Sequence, residues 1–213
     1  MHDRLAVVLR YARAHHARSL LIGFAAVTSC IAVIGTWEVS FPAANGVSTF
    51  PFGRELPIVI ASLIGGSLDS EMTTLEETST VTLRRLQWTH AIAVVLLGVL
   101  LTGGSEVVVA TSSEALMAVR GLLIWTGLAM LSGRIFGWLL SWLLPVMTVF
   151  PLIYFGQDLL GVPRWWDWTS QPATYLPCWL LASGSLIVGA CSFALTSWRF
   201  HFIADAGKRV FRG

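Results

Sequence analysis

Charge is what this chain has least of. Asp, Glu, Lys and Arg together make up 12% of its 213 residues, whereas soluble domains carry about a quarter. Against 55% hydrophobic residues and a mean hydropathy of +0.70, that shortage excludes an ordinary water-soluble domain and points to an integral membrane protein. Cysteine is scarce too. Cys30, Cys178 and Cys191 are odd in number and lie in or beside apolar stretches, so small buried hydrophobes are expected and a disulfide framework is not. Lysine occurs once, at Lys208, and a formal charge of +2 fits an anionic inner leaflet without giving a nucleic-acid signal.

Catalytic and metal-binding patterns are missing as well. No H-x-x-H, C-x-x-C or H-E-x-x-H occurs, so no metal site is expected. Gly207-Lys208 has Phe202 where a P-loop needs Gly, and Arg209 where it needs Ser or Thr. "ASGSL", Ala182 to Leu186, resembles a serine nucleophile turn. No span holds a histidine base except for His90 at the end of one, and a nucleophile without a base is inert. Helix packing through small residues is the simpler reading there, and no catalytic residue is expected.

What the chain does have is long apolar runs. A run of roughly 20 residues crosses the ~30 Å hydrocarbon core as a helix, and six such runs are bounded by charge: Ser19–Trp37, Phe50–Leu68, Trp88–Ala110, Ala115–Leu131, Ile135–Tyr154 and Leu176–Thr196. They do not alternate as barrel strands would. The expected fold is therefore all-α, a single transmembrane domain over 1–213 built as a helical bundle with six transmembrane helices. No small-residue cleavage site follows the first run, so it reads as a retained span.

Orientation follows from the excess of basic residues in cytoplasmic segments. A cytoplasmic N-terminus puts Arg4, Arg10, Arg13, Arg18, Arg84, Arg85, Arg134, Arg199, Lys208, Arg209 and Arg212 inside. Arg54, Arg120 and Arg164 then lie outside or near the outer face. A multi-pass protein of the plasma membrane with both termini cytoplasmic is expected.

Between the runs, four segments carry information. Residues 1–18 place Leu5, Val8, Leu9 and Ala12 at helical spacing among arginines, the pattern of a cytoplasmic interfacial helix; a disordered basic tail serving only topology is the alternative. "EVSFPAANGVSTFPFGRE" reads as an outer loop. Glu106 and Arg120 each lie seven residues from Ser113, about 10 Å from the turn at ~1.5 Å per residue. Matched depth predicts an intramembrane ion pair, or a substrate-contacting pair as the functional alternative. Residues 155–175 gather Trp165, Trp166 and Trp168 beside Asp158, Arg164 and Asp167, as an interfacial outer loop or half-inserted segment would. In "LSGRIFGW", Gly133 and Gly137 have a spacing suited to close helix approach, although such spacings arise readily by chance in a Gly-rich chain.

The longest polar interruption, Ser67–His90, is helix-like. Thr73 with Glu76 and Thr74 with Glu77 have capping-box spacing, and acidic residues precede Arg84 and Arg85 as the helix dipole favours. Met72, Leu75, Ser79, Leu83 and Leu86 recur at steps of three and four and add a narrow, weakly apolar stripe.

These residues resemble the membrane (permease) subunits of type-two ABC exporters. Their cytoplasmic coupling helix between spans two and three has an acidic start, then Gly-Thr-Leu-Glu, then a basic cluster. Here Glu71, then Thr74-Leu75-Glu76 after Thr73, then Arg84-Arg85 looks similar, with Thr73 in place of the glycine and no proline before the arginines. The resemblance implies a coupling helix over 69–87, with Glu71, Thr74, Leu75, Glu76, Arg84 and Arg85 as coupling residues. It also implies a cytoplasmic P-loop ATPase that binds ATP-Mg, and a second permease subunit in a homo- or heterodimer. No cofactor would be bound by this chain itself, and membrane lipid would surround it. The other classes left open are a non-transporting accessory or immunity protein and a secondary carrier, for which no carboxyl lies at the centre of a span.

Overall fold

The computed structural model describes residues 17–44, 46–68, 81–158 and 160–194. They form a helical membrane bundle with one small hairpin. In chain order these are α1 (Ala17–Ile34), β1 (Glu38–Ala43), β2 (Gly46–Pro51), α2 (Phe52–Glu55), α3 (Pro57–Ser67), α4 (Val81–Val109) and α5 (Ser112–Phe136). A short 3-10 turn (Trp138–Leu140) leads into α6 (Leu143–Phe155), and α7 (Leu176–Ala194) follows.

Four stretches are long and apolar enough to cross a membrane: Arg85–Val109, Ser112–Phe136, Trp138–Phe155 and Leu176–Ala194. A shorter apolar helix covers Arg18–Ile34. Helix α5 is the centre of the bundle, with 72% of its apolar window buried against 22% or less in the other three. It packs on α3, α4, α6 and α7. Its first turn is capped by Thr111, whose Oγ1 accepts from the Glu114 N–H at 3.2 Å, satisfying one of the donors a helix start leaves free. Its end is set by Gly137, whose φ of +95° suits a residue without Cβ.

Close approach of α5 to α7 depends on glycine. A methyl group on Gly127 would overlap the Ser185 carbonyl, and one on Gly189 would stand 2.6 Å from the Gly127 oxygen. The Ser185 hydroxyl donates to the Ile124 carbonyl at 2.9 Å. "ASGSL" is thus a packing surface of small residues, the mode of association open to helices in lipid. Gly133 makes room instead for the Trp138 ring just beyond its own helix.

Outward faces are as apolar as the interior. On α4, Ile92, Leu96, Leu100 and Val107 are exposed at helical spacing, Leu100 to 71%. On α7, Leu176, Leu180, Ile187 and Val188 are exposed. A surface of this kind is stable against lipid tails, not water.

Two expectations need correction. The connection after α1 is not an irregular loop but an antiparallel hairpin, with Val39 opposite Phe50 and Phe41 opposite Ser48. Its turn residue Gly46 has a φ of +132°, and the Phe41 and Phe50 rings meet edge to face. Nor does Phe50–Leu68 form one continuous spanning helix. Phe50 and Pro51 end the hairpin, and α3 has 11 residues, about 16 Å at ~1.5 Å per residue, roughly half the hydrocarbon thickness.

The bundle has two distinct ends. At one, the hairpin, α2, the α4–α5 turn and the 156–175 loop converge: the Ala44 N–H donates to the Tyr154 carbonyl and the Gly53 N–H to the Gly35 carbonyl. At the other, the rings of Trp88, Trp138 and Phe193 pack edge to face beside buried Leu68, Ala91 and Met130. The chain's expected interfacial helix (1–18) and the 69–80 part of its expected coupling helix lie outside the described residues, apart from Ala17 and Arg18, which begin α1.

Candidate functional site

Every described carboxylate sits at the hairpin end. Glu38 opens β1, Glu55 closes α2, Glu106 is three residues from the end of α4, Glu114 is in the first turn of α5, and Asp158 and Asp167 belong to the loop before α7. Arg54, Arg120 and Arg164 are carried by the same segments, whereas Arg18, Arg85 and Arg134 lie on helix ends at the opposite side.

Two different arrangements result. The first is a clamp. Arg120 is 0% exposed and donates through Nη1 to the Pro172 carbonyl at 2.8 Å, and through Nη2 to the Trp168 and Gln171 carbonyls at 2.6 Å each. A guanidinium presents a planar fork of donors, and here the fork draws three loop carbonyls onto the middle helix of the bundle. The loop supports the clamp from its own side chains. Asp167 Oδ1 accepts from the Thr169 N–H, the Thr169 hydroxyl and the Ser170 N–H. Gln171 Nε2 donates to the Pro163 and Arg164 carbonyls, and Trp179 Nε1 to the Ala173 carbonyl at 2.7 Å. Burial raises the Asp167 carboxyl above its usual range, while those hydrogen bonds pull it down. The Trp-rich segment is therefore a packed cap made of turns, and no helix occurs in it among the described residues.

The second arrangement is an open cleft of about 160 Å³ between the start of β1, α2 and the α4–α5 turn, lined by Thr36, Glu38, Gly53, Arg54, Glu106 and Glu114 with their neighbours. Arg54 Nε stands 3.1 Å from Glu114 Oε2 as an ion pair, and Nη1 donates to the Thr169 carbonyl, tying cleft to clamp. Glu106 is 2% exposed and its Oε1 has no hydrogen-bond partner. A methyl group on Gly53 would stand 2.6 Å from that oxygen, so the glycine leaves the carboxylate its space.

Glu106 and Arg120 thus share one end of the α4–α5 pair, but no ion pair joins them among the described residues. Arg120 turns to the loop carbonyls and Glu106 to the cleft. Arg84 and Arg85 both fall in the first turns of α4, continuous with the spanning helix, with Arg85 exposed. Glu71, Thr74, Leu75 and Glu76 lie outside the described residues. Arg54, Glu38 and Glu114, which frame the cleft, carried no role in the sequence pattern. The available signal was their common placement at the outer ends of apolar runs.

An apolar opening of about 490 Å³ lies between α5, α6 and α7, lined by residues such as Leu128, Leu131, Leu180 and Val188. No group of three or more His, Cys, Asp or Glu side chains is arranged to hold a metal among the described residues. No family model matches the chain, and no curated protein or solved structure does so either.

Proposed function

We propose that this chain is a permease subunit of an ATP-driven exporter of the plasma membrane, working with a separate cytoplasmic P-loop ATPase and a second permease subunit. In this reading α1, the α2–α3 pair, α4, α5, the 3-10 turn with α6, and α7 are six crossings, and the hairpin end faces outward. The carrying observation is that α3 ends and α4 begins at the end of the bundle where Arg18, Arg85 and Arg134 lie, the end that basic residues favour on the cytoplasmic side. An acidic-to-basic segment there is positioned to transmit an ATPase's movement into α4, the longest of the described helices.

Residues Glu71, Thr74, Leu75, Glu76, Arg84 and Arg85 are assigned to that contact. ATP-Mg would be held by the partner. The exported molecule would pass between two permease subunits, along faces such as that of α5, α6 and α7.

Purification of the tagged full chain in mild detergent, with mass spectrometry of what accompanies it, tests the assignment. A P-loop ATPase should co-purify, and Leu75→Arg or Glu76→Lys should release it while the chain stays folded. A preparation without a nucleotide-binding partner would contradict the proposal and favour the accessory or secondary-carrier classes.

A further inference from the structure

The Glu106 cleft has no part in coupling to an ATPase, and its chemistry specifies a ligand. Glu38, Glu106 and Glu114 line it with Arg54 as the single cation among the described residues, so carboxyl groups outnumber the guanidinium three to one. Arg54 and Glu114 are already paired, so the excess rests on exposed Glu38 at the rim and on Glu106 at the floor. A buried carboxylate oxygen without a partner is costly, and an ionisable group this near a membrane span marks a functional position. A donor that enters through the mouth can supply its partner.

Size and geometry narrow the class. An opening of about 160 Å³ is well below the roughly 300 Å³ or more of a pocket that encloses a drug-sized ligand, which suits a small polar head and not a large molecule. The carboxylates do not converge as a metal-ligand set, whereas an ammonium group carries three rotatable donors that can reach acceptors set apart.

We propose that this cleft binds a primary ammonium group, with Glu106 as the buried acceptor and Glu38 as the charge at its entrance. The group can belong to a free amine or to the headgroup of an ethanolamine lipid. The site stands apart from the exporter reading, because its test requires no ATPase.

The test is calorimetric titration of ethylammonium chloride into the full-length chain in nanodiscs of phosphatidylcholine, which has no primary amine. Saturable binding is expected, weakened by about tenfold or more in Glu106→Gln and less in Glu38→Gln. Trimethylated ammonium, which lacks N–H donors, should bind more weakly. Repeating the titration in phosphatidylethanolamine nanodiscs separates the sources: lost binding assigns the site to the lipid headgroup, and unchanged binding assigns it to a free amine. Absence of ethylammonium binding in phosphatidylcholine overturns the proposal. So does binding that both variants leave unaltered while their thermal unfolding matches that of the parent chain.

Discussion

Arg120 and Glu106 are two buried charges at the same end of one helix pair, and they are treated in opposite ways. Around Arg120 the chain has built a closed niche, in which three carbonyls separated from it by about fifty residues of sequence meet the two terminal nitrogens. Around Glu106 it has left an opening and an oxygen without a partner. Arg120 spends both terminal nitrogens on carbonyls, although its Nε has no partner among the described residues, and a buried charge bonded that way holds structure together; a carboxylate oxygen left bare beside an opening is available to something else. The difference assigns the clamp to folding and the cleft to binding.

Removing the clamp should have the largest effect. Arg120→Leu strands three carbonyls and frees the loop, and a loss of about 3 kcal/mol is expected in chemical or thermal unfolding. Arg120→Lys should recover little, because an ammonium does not match the planar fork. A variant as stable as the parent would remove the distinction between niche and cleft.

Arg54→Ala comes next. It deletes the half-buried pair with Glu114 and the bond to the Thr169 carbonyl that links the two regions, for which about 1 kcal/mol is expected, decreasing with added salt.

Asp167 gives a smaller effect with a pH signature. Its folded carboxyl is raised from the ordinary value of 3.8 by burial, so the folded state holds its proton more tightly than the unfolded chain does. Stability contributed by this group is therefore complete below 3.8 and is lost as pH rises through the raised value. Asp167→Asn keeps an acceptor oxygen and removes the charge, so it should flatten that part of a stability profile taken from about pH 4 to about pH 8. An undiminished slope in the variant would place the titration elsewhere.

Glu106→Gln should change stability least, by less than about 1 kcal/mol, since the altered Oε1 has no partner to lose. A large destabilisation would show Glu106 to be part of the clamp's architecture after all.

How far the sequence discloses these features depends on which interactions leave a local pattern. The four long apolar helices were legible because burial in lipid requires unbroken hydrophobic runs. The hairpin had its own signal, Asn45-Gly46 between Val39, Phe41, Val47 and Phe50, the pattern of a tight hairpin turn. Pro42 and Pro51 obscured it, although a two-stranded ribbon consists only of edges and tolerates proline. The break after Pro51 was hidden for a related reason, since Phe50–Leu68 is as apolar as a spanning helix and only its paired strand shows where the helix begins.

The charges near the outer face were found, but their partners were not. Opposite charges at equal depth predict each other from spacing alone. The carbonyls of residues 168, 171 and 172 belong to every sequence equally, so nothing in the pattern marks them as acceptors for Arg120. Glu106's freedom follows from Gly53, which lies far from it in the chain and leaves room for the carboxylate.

ATP hydrolysis by the complex isolated through the tagged full-length chain, reconstituted in lipid nanodiscs, tests the proposed function most directly. The account predicts turnover that falls by about tenfold or more with Leu75→Arg or Glu76→Lys and is untouched by Arg164→Gln, an exposed side chain at the opposite end, as expected when an interface that transmits force is broken. Turnover that is absent, or that the Leu75 and Glu76 variants leave unchanged, would contradict a permease coupled through residues 69–85.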